Sequence, residues 1–382
     1  MLMKLKYTMI QRGTPFIPAR LRALIRRHLS LKDYDYQRLR SENPYANKDE
    51  ELFANSPAKI GIIEDISHYH KHYIAACSEM KISYQVYDLT SPDWLNKFST
   101  SDCDAFLVWP SITNTTLKAM FDFRLRILEE DMGKILYPTA KECWLYENKP
   151  RILDWLNAHN IPHPKSWVFY DEKQAMEFAD KINLPIVVKT ATGASASGVE
   201  IVKSLKALRK LIKKYFTKGI TPRGYSPYDR QWGFVYLQEY LPDVHEWRMV
   251  RIGKSFFGYR KEKGPDGLHS ASHKWSFLDP GNNLLNLLKQ VTDAGNFTSM
   301  DVDIFQTHDG SLFVNELQTV FGCTTPAIQM QVNNIPGRYL WENNQWVFQE
   351  GNFCNNHMCN LRIEYLCSLL SKNYSHNNHF LY

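Results

Sequence analysis

Three groups of residues have the types and spacing that chemistry needs. The first is Lys189, which closes the apolar run LPIVVK and is followed by the small-residue stretch TATGASASG. Gly193, Ser195, Ser197 and Gly198 let a backbone approach a ligand closely, and successive amides can make an anion-binding concavity. A lysine beside them adds a compact positive charge for phosphate oxygens. The lysine precedes the loop and a strand follows it, so this is not a P-loop, and taken alone it also fits a plain hairpin turn. The second group is Asp303, Glu316 and Gln318. Strand alternation puts Asp301 and Asp303 on one face of MDVDIF, and Glu316 and Gln318 on one face of VNELQ. If these strands pair through the turn at His308–Gly310, their oxygens converge into a donor set for a hard cation such as Mg²⁺. If they do not, the acids are simply solvated. The third group is Arg260, with Lys261, Lys263, His269, His273 and Lys274 close behind. It suits clamping a phosphate in transfer and an acidic substrate, or it is a charged surface loop.

Alternating strands and helices are needed to hold such groups. Residues 41–58 read as a polar linker. After them Lys59–Glu64, Tyr84–Asp88, Asp104–Trp109 and Lys134–Tyr137 read as strands, with helices over 70–81 and 114–132, a βαβ pattern that implies a parallel sheet. From Thr139 the pattern changes. Helices are expected at 141–147, 150–159 and 171–182, a strand at Ser166–Phe169, and a hairpin from Leu184–Lys189 and Val199–Lys203 around the small-residue loop. Residues 219–232 read as an exposed loop. Then VYLQEYL, WRMVRIG and SFFGYRK read as consecutive strands, followed by a helix near 283–294 and strands at Ser299–Phe305 and Leu312–Leu317. The expected units are therefore an extension and linker over 1–58, a small α/β domain over 59–140, a two-lobed unit over 141–337 (lobes about 150–240 and 241–337) and a tail over 338–382 that is Asn-rich and aromatic.

Composition narrows the class. A chain of 382 residues with 44% apolar and 23% charged residues is long enough to bury a sizeable core without staples. No apolar run approaches the roughly 20 residues of a membrane span, and the N-terminus lacks a secretory apolar core. Seven scattered cysteines suit reduced thiols and a cytoplasmic setting. The set Cys354, His357 and Cys359 resembles half a zinc site but lacks a fourth ligand, and reads as structural. The net charge of +6 is uneven: residues 1–40 hold ten Lys/Arg against two Asp, a local +8, leaving about −2 elsewhere. Within this arm Ile17, Leu21, Leu24, Ile25 and Leu29 share one helical face with arginines around it. That pattern allows peripheral contact with an anionic membrane surface, or packing on the arm's own domain. No recognition motif accompanies it, so nucleic acid is not an expected partner.

Taken in order, the segments ENKPRILDWLNAHNIPHP, PIVVKTATGASASGVEIV, VYLQEYLPDVHEWRMVRIG and MDVDIFQTHDGSLFVNELQTVFG resemble the ATP-grasp superfamily, in the branch of glutamate–ribosomal-protein ligases and D-alanine–D-alanine ligases. The resemblance covers about residues 59–335. It implies an α/β fold (α+β in the catalytic part) with two lobes sandwiching ATP behind a small parallel-sheet domain. It assigns Lys149 and Lys189 to nucleotide phosphates and residues 193–198 (Gly193, Ser195, Ser197 and Gly198 among them) to a loop closing over the triphosphate. It further assigns Gln238, Glu239 and the backbone of Leu241 to the adenine, Glu246 to the ribose hydroxyls and Arg260 to the phosphates, so that Lys189 and Arg260 are the expected catalytic cations. Asp303 and Glu316, with Gln318 in the place of the usual Asn, become ligands for Mg²⁺ or Mn²⁺. Two further departures, TVFG after the metal strand and Asp301 where relatives often carry a basic residue, fall near the second substrate and leave its identity open.

The implied reaction is ATP-dependent ligation of a carboxylate to an amine through an acyl phosphate. Segments such as WLYENK and NELQTVFG resemble a branch associated with surface-polysaccharide assembly, where the acid is a small molecule or glycan, at the inner face of the membrane. The alternatives are a kinase of a polyol or sugar phosphate on the same scaffold, and a nucleotide-binding protein without activity. Oligomeric state stays open, a homodimer included.

Overall fold

The computed structural model describes residues 48–112, 114–193, 197–222, 229–263, 274–321 and 330–377. The expected arm helix over residues 1–40, Ser195, His269 and His273 lie outside them. Among the described residues no helix is long and apolar enough to cross a membrane.

The chain begins with the short strand β1 (Glu50–Glu51), within the stretch expected to be a linker. Then come β2 (Lys59–Ile63), α1 (Lys71–Met80), β3 (Ser83–Tyr87), α2 (Trp94–Ser99), β4 (Ala105–Leu107), α3 (Thr115–Arg126, continued by a π turn to Asp131) and β5 (Leu136–Tyr137). The sheet order is β1-β3-β2-β4-β5, parallel except at the β1 edge. This is the doubly wound arrangement the alternating pattern implies. The helix α2 has no counterpart in that pattern. Only Trp94 and Phe98 of its six residues are buried, too short a stripe to read as periodic.

Next come α4 (Ala140–Leu145), α5 (Lys149–Ala158), β6 (Ser166–Phe169), α6 (Glu172–Ala179), β7 (Ile186–Lys189), β8 (Val199–Val202), α7 (Leu205–Thr217) and β9 (Val235–Glu239). Their strands form an antiparallel sheet, β6-β9-β7-β8, in which β7 and β8 are the expected hairpin. The helix α7, absent from the expected elements, buries Leu208, Ile212 and Tyr215 along one face against this sheet.

The third sheet holds β10 (His245–Ile252), β11 (Ser255–Lys261), β12 (Trp275–Ser276), β13 (Ser299–Gln306), β14 (Leu312–Gln318), β15 (Gln331–Val332), β16 (Ile335–Glu342) and β17 (Gln345–Glu350), with α8 (Gly281–Gly295) between β12 and β13. Its main order is β14-β13-β10-β11-β16-β15. Trp247, Met249, Met300, Val302 and Ile304 pack with Leu284, Leu285, Leu288 and Val291 of α8 in one core. The alternation therefore turns Glu246, Arg248, Asp301 and Asp303 to the opposite face.

Residues 338–377 are no tail. β16 and β17 extend the third sheet, and the Asn pairs 333–334 and 343–344 supply the positive φ angles (50° and 69°, 50° and 61°) of two-residue hairpin turns. The last helix, α9 (Asn355–Asn377, broken near its start by left-handed Asn356, His357 and Met358), crosses back to the first sheet. Its Cys359, Ile363, Leu366 and Leu370 share a core with Ile60, Ile62, Ile74, Cys77 and Tyr84. Cys354 packs in a different core and its sulfur accepts the Met330 amide at 3.2 Å, so Cys354 and Cys359 do not make a half zinc site.

Candidate functional site

Lys149 opens α5, whose N-cap Asn148 accepts the Arg151 amide at 3.2 Å while Pro150 presets the first turn. The Lys149 amide donates to the Ala191 carbonyl at 3.0 Å, fastening the helix start to the small-residue loop. Its ammonium meets Glu316 Oε1 at 3.1 Å and the Gly193 carbonyl at 3.3 Å. Lys189, at the end of β7, donates to Asn315 Oδ1 at 2.7 Å. Two lysines from separate elements thus reach across to neighbouring residues of β14.

A β-bulge makes this convergence possible. Asp303 stands opposite Glu316 and Ile304 opposite Val314, so β14 carries one residue more than its partner between them. Strict alternation would put Val314 and Leu317 on opposite faces; both are buried in the α8 core. The extra residue lets Asn315 and Glu316 both turn toward the lysines.

The loop base needs its glycines. A Cβ at Gly198 would lie 1.7 Å from Thr190 Oγ1, and Gly193 has φ +134°. The Gly193 amide donates at 2.9 Å to Glu147, a buried carboxylate on a left-handed residue. The buried Ser197 hydroxyl has no hydrogen-bond partner among the described residues. A narrow cleft beside the lysines is lined by Ile152, Leu153, Leu156 and Val314, with Ser166, Tyr236 and Gln238 as polar handles. Such a slot suits a flat apolar ring with a few hydrogen-bonding edges. Gln238 donates to Ser166 Oγ at 3.0 Å. Glu239, next along β9, turns the other way and accepts the Lys165 amide at 2.6 Å, so its side chain does not join the cleft. Leu241 lies just past β9 and is half-buried.

The acids of the large sheet are already matched by cations. Lys261 bonds Glu246 at 2.8 Å and also Asp303. Arg248 lies 2.8 Å from Asp301 and 3.1 Å from Asp303. Gln318 faces Asp301 across the strands, half-buried. Arg260 does not join this group. It stands opposite Trp247 on the other face of β11 and pairs with Glu262 at 2.9 Å. Neighbouring residues of a strand point to opposite faces, so once Glu246 faces the site its register partner Lys261, not Arg260, must. The alternation of SFFGYRK carried that signal. Arg248, Glu147 and Asn315 were also missed; the alternation exposes Arg248, whereas the bulge that turns Asn315 inward has no sequence mark.

The charges close on themselves. Glu147, Glu246, Asp301, Asp303 and Glu316 face Lys149, Lys189, Arg248 and Lys261, five acids against four cations. Burial pushes the Asp301 carboxyl well above the usual range, against the pull of Arg248. At Asp303 burial acts upward too, but Arg248 and Lys261 outweigh it and hold the group at about 2. Burial pushes Lys149 down, and Glu316 with Glu147 more than restores it. Lys189 has weaker support: burial and the neighbouring Lys149 bring it to about 8, against the pull of Glu316, Glu246 and Asp303.

A family model described as the RimK-like ATP-grasp domain matches residues 146–250, a span holding both lysines, the loop, Gln238 and Glu246. Among sequence relatives, the α-aminoadipate–LysW ligase LysX of Saccharolobus solfataricus is 31% identical over 121 residues, 30% of this chain and 41% of that protein. The same-named ligase of Sulfurisphaera tokodaii is 25% identical over 189 residues, 46% of this chain and 59% of that one. The chain thus spans about half the length of these relatives. The D-alanine–D-alanine ligase of Bacillus anthracis superposes with a TM-score of 0.50 at 16% identity, covering 82% of this chain and 99% of that structure. An ADP complex of PurK, an N5-carboxyaminoimidazole ribonucleotide synthetase, gives 0.50 at 14% identity over 77% and 83% of the two chains. These superpositions show a shared fold that extends well beyond the matched span.

Proposed function

We propose that this chain is an ATP-dependent carboxylate–amine ligase whose nucleotide lies between the sheets carrying β7 and β14. The observation that carries the reading is the pair of contacts Lys149–Glu316 and Lys189–Asn315. One buried ammonium comes from β7 of the loop-bearing sheet and the other from the start of α5, which packs on the large sheet; both end at the acid-bearing strand, where a triphosphate would take its place between them. Asp303 and Glu316 oppose each other directly, and with the Gln318 amide this all-oxygen set fits Mg²⁺ or Mn²⁺, which when bound supplies charge neutralisation at the phosphates.

The protein's own part is positioning and charge. Lys149 and Lys189 hold phosphate oxygens, the Gly193–Gly198 loop base offers its small-residue backbone and the Ser197 hydroxyl, and the apolar slot orients the base. Lys261 pairs with Glu246 and Asp303, and Arg248 with Asp303, which keeps both acids aimed. The γ-phosphoryl passes to a substrate carboxylate, giving ADP and an acyl phosphate. An amine then attacks the acyl carbon, losing a proton, and inorganic phosphate leaves as the amide forms. In a narrower form of the reading the acid belongs to a surface polysaccharide. Its support is the resemblance of WLYENK and NELQTVFG and the basic arm over residues 1–40.

Incubation with ATP, Mg²⁺ and pools of carboxylates and amines tests the proposal. ADP release that needs both an acid and an amine is expected. Release with one substrate alone and a phosphorylated product would make the chain a kinase, and no release at all would remove catalysis.

A further inference from the structure

A second group of metal-ligating side chains stands in the first sheet, away from the nucleotide lysines. β2 is the strand where the parallel order reverses, with β3 on one side and β4 on the other. Connections from the carboxyl ends of such strands diverge and leave a crevice. The connection from β2 to α1 carries Glu64, His68 and His70, and one ligand atom from each lies within 4.8 Å of the others. We propose that Glu64, His68 and His70 bind a divalent transition-metal ion of the zinc class, leaving a coordination position open to water or an anionic substrate group.

The donor set argues for that class. Two imidazoles and one carboxylate are the ligands zinc takes at sites that keep an exchangeable position, whereas Mg²⁺ prefers oxygen throughout. The surroundings of His70 are those of a ligating imidazole. Its Nδ1 is held by the Asp65 backbone, 3.0 Å from the amide and 3.1 Å from the carbonyl; donation to the carbonyl is the tautomer that a metal at Nε2 would select. His68 sits at φ +64°, a left-handed conformation uncommon outside glycine, and Glu64 stands at the solvent side. An ordinary polar turn before α1 would need neither two histidines nor a carboxylate converging at this spacing. The 4.8 Å separation exceeds the roughly 4 Å that two ligands of one ion can span, so small rotations of the exposed members would close the site.

Cobalt(II) titration of the chelator-stripped full chain, without nucleotide, tests this by visible absorption, with zinc as competitor. The expected result is about one equivalent of cobalt giving the intense bands of a low-coordinate imidazole site, displaced by zinc. His68→Ala and Glu64→Gln, chosen because neither side chain is deeply buried, should each weaken binding at least tenfold while the circular dichroism stays native. Glu316→Gln should leave it unchanged. Absence of the bands, bands that persist in His68→Ala, or bands lost only in Glu316→Gln would overturn the assignment.

Discussion

The weakest-held charge of the proposed nucleotide cleft belongs to Lys189. Its ammonium reaches an amide oxygen, where Lys149 has a carboxylate, and it titrates at about 8. Below that value the group is charged and attracts phosphate; as pH rises through it the proton leaves and the attraction fades. Nucleotide binding should therefore weaken above pH 8 and take up a fraction of a proton there, since phosphate stabilises the charged form. Calorimetry in buffers of different ionisation enthalpy checks both, and Lys189→Ala should abolish the uptake. The same variant should raise the KM for ATP by about 10- to 100-fold, the loss of a charge-assisted hydrogen bond of ~1.5–3 kcal/mol. Lys261 and Arg260 make a sharper contrast. Lys261→Ala leaves Glu246 and Asp303 short of their buried partner and should lower stability in urea by about 3–5 kcal/mol. Arg260→Ala should leave both stability and nucleotide kinetics nearly unchanged. Residue types alone favoured Arg260, because an arginine followed by basic residues suggests a phosphate clamp; only the face of the strand distinguishes it from its neighbour.

At the scale of elements, two pieces of backbone set the geometry. The hairpin β7–β8 closes over Thr190, whose amide donates to the Gly198 carbonyl at 2.9 Å. Gly198→Ala would drive its new carbon into the Thr190 side chain, so the loop base must open. The expected outcome is a KM for ATP raised at least about tenfold with the urea midpoint little moved, since the strain falls on a local turn rather than a core. The bulge in β14 is the second piece. The strands around it were readable from alternating apolar residues, and β6 was read to its observed ends. The extra residue was not, because VNELQ offers no glycine or proline to mark it and strict alternation is the ordinary reading of such a run. Sequence therefore located Glu316 but not Asn315 beside it. Helix α4 adds a third constraint: Glu142 accepts the Thr139 amide as a capping box, and its other oxygen takes the Thr298 and Ser299 amides at 2.7 Å each, setting the start of β13.

Across the whole molecule, the first sheet is completed by the last helix. Ile363 is wholly buried between α9 and the β2–α1 layer, and Ile363→Ala should destabilise the protein by about 2–4 kcal/mol in urea unfolding. No local pattern could announce this. The α9 sequence shows little amphipathic pattern of its own, its partners lie nearly three hundred residues earlier, and nothing near either end marks the pairing. Arg362 reinforces it, fully buried, donating to the His357 carbonyl at 3.1 Å and lying over Phe321 at 4.8 Å. During synthesis the strands emerging first must wait, half-clothed, until the ribosome has finished the final turn of α9. A product that stopped before α9 would hold both cleft lysines and still leave Ile60, Ile62 and Ile74 without the helix that covers them.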